Sequence, residues 1–180
     1  MENRTGNTHN SGMLTGMFRD RDSAERAYNS LHSRGYSRDD INVIMSDDAR
    51  KRHFSDSDNN NTELGSKALE GAGAGSAIGG TLGAIVGAIA AIGTSIALPG
   101  LGLVIAGPLA AGLAGAGAGG LTGGLLGALV GSGIPEERAK VYESGIKEGN
   151  IVMGVTPRNA EDAAYFENDW RTNRGEHIYR

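Results

Sequence analysis

Two kinds of hydrophobic pattern divide this chain. In residues 13–48 and 134–180, short apolar runs alternate with segments whose apolar residues recur every three or four positions. Between them, residues 71–135 hold no Asp, Glu, Lys, Arg or His and consist mainly of Gly, Ala, Leu, Ile and Val. The first pattern predicts strands and amphipathic helices, whereas the second predicts a segment that avoids water on every side.

The opening half reads as a β-α-β unit. Residues 13–18 predict a first strand, and residues 41–45 predict a second. A helix is predicted between them, because its apolar residues fall on one face: Ala24, Ala27, Tyr28 and Leu31. Asp22 is its predicted N-cap, with Glu25 reaching back in a capping box, and Gly35 suits its C-terminal end.

The closing half predicts helix, strand, helix and strand. Pro135 and the acids behind it favour a helix N-terminus, and Gly149 suits the end of that helix. Residues 151–155 predict a third strand, residues 157–174 another helix, and residues 177–179 a short last strand. Without the helix before the third strand, the two halves give β-α-β followed by β-α-β. The predicted fold class is α+β: a ferredoxin-like (split βαβ–βαβ) domain interrupted by a Gly/Ala-rich hydrophobic helical hairpin.

The interrupting segment contains an internal repeat. The run Gly-Ala-Gly-Ala-Gly at residues 71–75 returns at residues 115–119. In each copy a glycine stands at every fourth position: Gly71, Gly75, Gly79, Gly83 and Gly87, then Gly115, Gly119, Gly123, Gly127 and Gly131. A step of four keeps residues on one helix face, so this small-xxx-small pattern predicts closely packed helices, a glycine zipper.

The segment has room for two helices joined by a turn. The turn is predicted at Pro99, Gly100 and Gly102, with helices over about residues 72–97 and about residues 103–131. Glycine costs a water-exposed helix about 1 kcal/mol relative to alanine, so these helices need a bilayer or a tight protein bundle. Each is long enough for the about 20 apolar residues of a membrane span. A flexible Gly/Ala linker is the alternative, but such linkers rarely carry so many Leu, Ile and Val residues.

Changes in composition set the predicted boundaries. They give a disordered N-terminus (1–12), a first α+β half (13–48), a polar linker (49–70), the glycine-zipper hairpin (71–133) and a second α+β half (134–180). The polar start has no apolar run, so no signal peptide is expected there. Trp170, with Tyr165 and Phe166, is a predicted core residue, with an interfacial membrane anchor as the alternative.

Charge and composition exclude several kinds of chemistry. The net charge is −4, which gives no electrostatic case for nucleic acid, and the absence of cysteine excludes disulfides and thiol catalysis. The four histidines share no metal-ligand spacing. Residues 115–120 match a dinucleotide fingerprint, but a glycine-rich tract does so by composition alone. The sequence therefore predicts a protein that is not an enzyme, with no catalytic residue, metal, cofactor or small-molecule substrate.

A series of motifs resembles a known bacterial family. The motifs are GMF-x-D-R-D-S-A-E-R-A at 16–27, Gly35-Tyr36 followed by INVI at 41–44, and GIPEE at 133–137 with Ala139, Tyr142, Gly145, Gly149 and Ile151. Over residues 13–175 the chain resembles the general stress protein and low-temperature-induced protein families, and its glycine-rich middle resembles their helical hairpin. The resemblance implies a stress-induced, membrane-associated bacterial protein without an assigned enzymatic activity. The Asn-rich residues 55–62 depart from the family pattern.

The sequence thus predicts a non-enzymatic bacterial stress-response protein, associated with a membrane through a glycine-zipper hairpin that self-associates. Its expected partners are other copies of itself and a lipid bilayer. Because two helices return the chain to its starting side, both termini are expected in the cytoplasm, at the inner (cytoplasmic) membrane. Two alternatives remain: a soluble cytoplasmic assembly with the hairpins buried in the oligomer core, and a membrane-anchored module whose ferredoxin-like domain senses a ligand.

Overall fold

The computed structural model describes residues 12–54, 96–98, 102–110, 124–131 and 133–180. In chain order the elements are β1 (Leu14–Phe18), α1 (Arg21–Ser33), a 3₁₀ turn (Arg38–Asp40), β2 (Ile41–Ser46), α2 (Asp47–Phe54), β3 (Ile96–Leu98), β4 (Leu103–Ala106), α3 (Gly124–Gly131), α4 (Glu136–Lys147), β5 (Ile151–Val155), α5 (Ala160–Thr172) and β6 (Glu176–Tyr179). The chain is α+β, as the sequence predicts.

One six-stranded sheet organises these elements, in the order β3-β4-β2-β5-β1-β6. Every neighbouring pair is antiparallel. Strand β5 of the second half lies between β1 and β2 of the first half, and Val155 stands opposite both Leu14 and Ile41. The two halves of the chain therefore share the centre of one sheet.

Helices cover both faces of this sheet. On one face, Phe18, Ile151 and Met153 pack in a cluster with Leu31 of α1 and Trp170 of α5. On the other face, Met17, Ile44 and Val152 pack in a cluster whose helical members include Leu129 of α3, with Tyr142 and Ile146 of α4. Because both faces are buried, β1 and β5 are buried along their whole length, which accounts for their continuous apolar runs.

The first helix begins earlier than predicted. Asp20, in extended backbone, is the N-cap of α1, and its Oδ1 accepts a hydrogen bond of 2.8 Å from the Ser23 amide. The predicted cap, Asp22, lies inside the first turn, where its charge suits the helix N-terminus. Glu25 does not reach back as the predicted capping box requires, but accepts from Arg21 at 2.8 Å.

The first residues of the predicted polar linker are helical and belong to α2. Asp47 pairs with Lys51 at 2.6 Å and with Arg50 at 3.2 Å, so the helix is held by ion pairs along its surface. Acidic residues in its first turn and basic residues in its last turn also complement the helix dipole. Among residues 47–53 only Ala49 is buried, so the helix has no apolar stripe that hydrophobic periodicity could detect. Residues 55–70, and residues 1–11 of the predicted disordered N-terminus, lie outside the described residues.

The predicted helical hairpin differs from the structure on either side of its turn. Residues 96–98 and 103–106 are the strands β3 and β4, so the helix prediction is wrong at 96–97 and at 103–106. Strand β4 pairs with β2, where Ile105 stands opposite Ile44. Its β-branched Val104 and Ile105 favour a strand, and pairing satisfies the backbone groups along the edge of β2 that β5 does not use.

The chain turns away from β4 at a point where its backbone packs closely against β2. Gly107 has a φ of +97°, and a Cβ atom there would overlap the carbonyl oxygen of Ile41. The backbone is helical at residues 108–110, and the Oδ1 atom of buried Asn42 accepts a hydrogen bond of 2.8 Å from the Leu109 amide. A polar side chain on β2 thus caps the helical turn that follows β4.

A polar cluster joins α1 to α5. The Tyr36 hydroxyl donates to Oδ2 of Asp162 at 2.7 Å and accepts from the Arg158 amide at 2.7 Å. Arg34 Nη1 lies 2.6 Å from Oδ1 of Asp162. Hydrogen bonds from Tyr36 and Arg34, together with the charges of Arg34 and Arg158, hold the pKa of Asp162 below its ordinary value of 3.8. We call this group the Tyr36–Asp162 clamp; it fixes the first half of the chain to the second.

The approach at Gly107 gives a first prediction. Gly107→Ala should lower the free energy of unfolding by about 3 kcal/mol, since it combines a positive φ with overlap against the Ile41 carbonyl. Gly102→Ala is the matched control: Gly102 has a φ of +61°, but a Cβ atom there would meet none of the described residues within 4 Å, so the expected loss is about 1 kcal/mol. Chemical denaturation measures both values. Equal losses would contradict the packing described at Gly107.

The clamp gives a second prediction. Because the folded-state pKa of Asp162 lies below the unfolded value, its carboxylate stabilises the fold above about pH 4, and that contribution is lost as the pH falls through the folded-state pKa. Asp162→Asn should therefore cost about 1 kcal/mol at pH 7 and less at pH 3. Denaturation at both pH values, with the exposed Asp39→Asn as control, measures the difference. A cost that does not change with pH would refute the charged clamp.

Candidate functional site

The predicted zipper and turn are described only in part. Two zipper glycines, Gly127 and Gly131, lie in α3. The remaining zipper positions fall outside the described residues: Gly71, Gly75, Gly79, Gly83, Gly87, Gly115, Gly119 and Gly123. Of the turn residues, Gly102 is exposed with positive φ, and Pro99 and Gly100 lie outside. On either side of residues 99–102 lie the antiparallel strands β3 and β4, with Leu98 opposite Leu103.

The inner side of α3 anchors the helix to the domain. Leu125 is 6% exposed and Leu129 is 1% exposed, and both belong to the cluster that contains Tyr142 of α4. The helix ends in a Schellman motif: the Ile134 amide donates to the Leu129 carbonyl at 3.1 Å, across Gly133, whose φ is +87°. Ile134 is itself buried in the same cluster. The end of the glycine-rich stretch is therefore fixed in position.

The outer side of α3 is small and apolar. Gly127 is half-buried, Gly131 is exposed, and Val130 between them is 40% exposed, one of the most exposed large apolar side chains in the described part of the chain. A Cβ atom built at Gly127 or Gly131 would meet nothing within 4 Å among the described residues. The helix carries no charged residue. We call Gly127, Val130 and Gly131 the outer stripe of α3; it has the shape that lets a second helix approach closely.

An open cleft lies beside α4. Its volume is about 280 Å³, and Met17, Gly145 and Asn150 are among the residues that line it. At its rim, Arg19 pairs with Glu176 at 2.8 Å, and that hydrogen bond raises the pKa of the guanidinium. Sequence reasoning did not anticipate this cleft, since its residues come from distant elements. Glu148 and His177 also line the cleft, and the Ser144 hydroxyl donates to Glu148 at 3.4 Å.

Buried polar groups near the cleft hold the sheet together. The Tyr142 hydroxyl donates to the His177 carbonyl at 2.6 Å and shares a 2.9 Å hydrogen bond with the Thr15 hydroxyl. Burial raises the pKa of Tyr142. His177 has a φ of +49° and lies where β6 bulges against β1. This network ties α4 to the β1–β6 edge, which is a structural role.

The aromatic residues considered as membrane anchors belong to the core. Trp170 and Phe166 are fully buried, and each packs edge-on against another ring, Phe18 at 5.7 Å and Tyr36 at 5.1 Å. Tyr165 is 39% exposed, with the Arg34 guanidinium 3.8 Å above its ring. The core interpretation is therefore confirmed for Trp170 and Phe166.

The described residues contain no group of three His, Cys, Asp or Glu side chains placed to hold a metal ion. In the same residues, no helix combines the length and the apolar character that crossing a bilayer requires. Comparisons of the chain with protein-family models, with curated proteins and with solved structures find no match.

Proposed function

We propose that this chain is a non-enzymatic structural protein that assembles with copies of itself through its glycine-rich stretch. The observation that carries the proposal is the outer stripe of α3, which the domain holds outward while Leu125 and Leu129 face its core. A helix that is apolar on both sides has a second surface to cover. Close helix packing is what glycines at every fourth position permit.

The glycine-rich stretch is part of the α+β domain in this proposal. Strand β4 extends the sheet beside β2, and α3 packs in the same cluster as Leu103 and Ile105 of β4. The stretch is therefore attached to the domain near its middle and at its end. A surface attached in this way keeps one orientation, which favours assembly in a defined geometry.

For the sheet itself, we infer the ferredoxin-like (split βαβ–βαβ) arrangement. The strand order supports it, because β5 lies between β1 and β2, while β1 lies between β5 and β6. Each β-α-β unit thus encloses a strand of the other, as that arrangement requires. Strands β3 and β4 extend this sheet, and α3 and α4 cover its second face.

Membrane association is the second candidate, and the exposed Val130 on an uncharged helix favours it. The buried Leu125 and Leu129 limit it, because α3 could not enter a bilayer without leaving the domain. Residues 111–123, between the two attached parts, are fewer than the about 20 that a helical span needs, whereas residues 71–95 are uncharged and numerous enough for one. Self-association takes precedence because the outer stripe belongs to a helix that packs in the domain. The proposal also includes a stress-response role, which rests on the motif resemblance alone.

The third prediction tests the outer stripe. Gly127→Leu and Gly131→Leu should each weaken self-association at least tenfold, because a leucine would keep a second helix from approaching closely. The matched control is Ala164→Leu, which adds the same apolar side chain at an exposed position of α5. Light scattering measures the mass, and circular dichroism checks the fold. If all three variants keep the wild-type mass, α3 does not mediate assembly.

A carbonate wash of membranes from expressing cells separates the two candidates. Under the proposal, the wash releases the full chain into the supernatant. The released protein then sediments as an oligomer in the absence of detergent. Retention in the membrane pellet, with oligomers only in detergent, would favour the membrane candidate instead.

A further inference from the structure

The described sheet ends in two edge strands, β3 and β6. An edge strand presents backbone N–H and C=O groups that its single neighbour does not use. Another extended chain can satisfy these groups in register, so an edge is a place where a second protein chain can bind. The two edges of this sheet differ in how open they are to such pairing.

The β6 edge is blocked in several ways. Its register against β1 shifts between Thr15 and Met17, and His177 has positive φ at the bulge. Glu176 at its start is held by an ion pair with Arg19. Bulges and charged side chains are the features with which proteins prevent pairing at an edge.

The β3 edge has none of these features in its described residues. Its pairing with β4 is regular, with Ile96 opposite Ile105, Ala97 opposite Val104 and Leu98 opposite Leu103. Neither strand contains a charged residue or a proline, although Pro99 directly follows β3. The sequence on both sides of the hairpin is also uncharged. A charged peptide would find no opposite charge here, whereas an uncharged strand would meet no repulsion.

The chain itself supplies such a strand, and the contrast between the edges selects how it pairs. Pairing β3 with β6 of the next copy would build an open filament, and pairing two β6 strands would join two blocked edges. Only β3 against β3 of a second copy avoids β6. An antiparallel pair of identical strands has two-fold symmetry, so it closes as a dimer.

We propose, building on the self-association argued above, that two copies dimerise through β3 and join their sheets into one continuous antiparallel sheet. A three-residue strand contributes few hydrogen bonds, each worth about 1 kcal/mol net. Apolar contact must add to them, and α3 supplies it, since it shares a cluster with β4, the strand next to β3. The β3 contact sets the symmetry, and α3 adds contact area.

Disulfide trapping tests this interface, because the chain has no cysteine of its own. The single variants Ile96→Cys, Ala97→Cys and Leu98→Cys are made in the full-length chain, with Tyr179→Cys on β6 as the matched control. Across a two-fold axis, facing residues in antiparallel strands have Cα atoms about 4.5 to 5.5 Å apart, within the range of a disulfide. At least one β3 variant should yield tenfold more covalent dimer than Tyr179→Cys under mild oxidation.

The outcomes distinguish this inference from the proposed function. A protein that is oligomeric by light scattering, but in which no β3 cysteine cross-links, overturns the β3 interface and leaves self-association standing. A monomeric protein overturns both. If every β3 cysteine is protected from a thiol reagent yet none cross-links, β3 is covered by something other than β3 of a second copy, which also overturns the interface. Cross-linking at Tyr179 as readily as at β3 would place two β6 strands together, so that chains join at both edges of the sheet, and would contradict the closed dimer.

Discussion

The structure depends on the insertion of β5 between β1 and β2. Val155 of β5 stands opposite both Leu14 and Ile41, so the last third of the chain completes hydrogen bonding for both strands of the first. Each half alone would leave its central backbone groups unpaired and its apolar faces open. Everything between residues 48 and 134 must therefore start and finish beside the same sheet. This requirement explains why the Tyr36–Asp162 clamp joins elements from the two halves.

That requirement also constrains how the glycine-rich stretch is attached to the domain. A freely attached insert would need only flexible connections to the domain, yet β4 extends the sheet and Asn42 caps the turn that leaves it. Gly107 permits this departure because its backbone lies against the Ile41 carbonyl. Within its described residues, the apolar character of the stretch thus has two origins, since part of it fills the core of the domain and part of it faces outward on α3.

Hydrophobic patterning could predict the central strands and their helices, because their apolar residues have clear spacing. It could not predict β4, since burial on both faces removes the alternation that identifies a strand, and Leu103–Ala106 reads equally well as part of a helix. The polar α2 lacked an apolar stripe to reveal it. For the candidate site, the four-residue glycine spacing indicated Gly127 and Gly131. The spacing does not show which side of α3 faces the core. That side is set by a tertiary contact, the packing of Leu125 and Leu129 in one cluster with residues of α4.

The glycines at the end of the stretch serve two different physical roles. Gly133 has positive φ and ends α3, so its backbone conformation accounts for its presence. Gly127 and Gly131 lie within the helix with no described residue near the position of a Cβ atom, and each costs about 1 kcal/mol relative to alanine. Burial of Leu125 and Leu129 offsets that cost, at about 2 kcal/mol for each side chain, but does not explain why glycine stands there. A helix or strand of another copy, packed against this side, would use the space that the missing Cβ atoms leave.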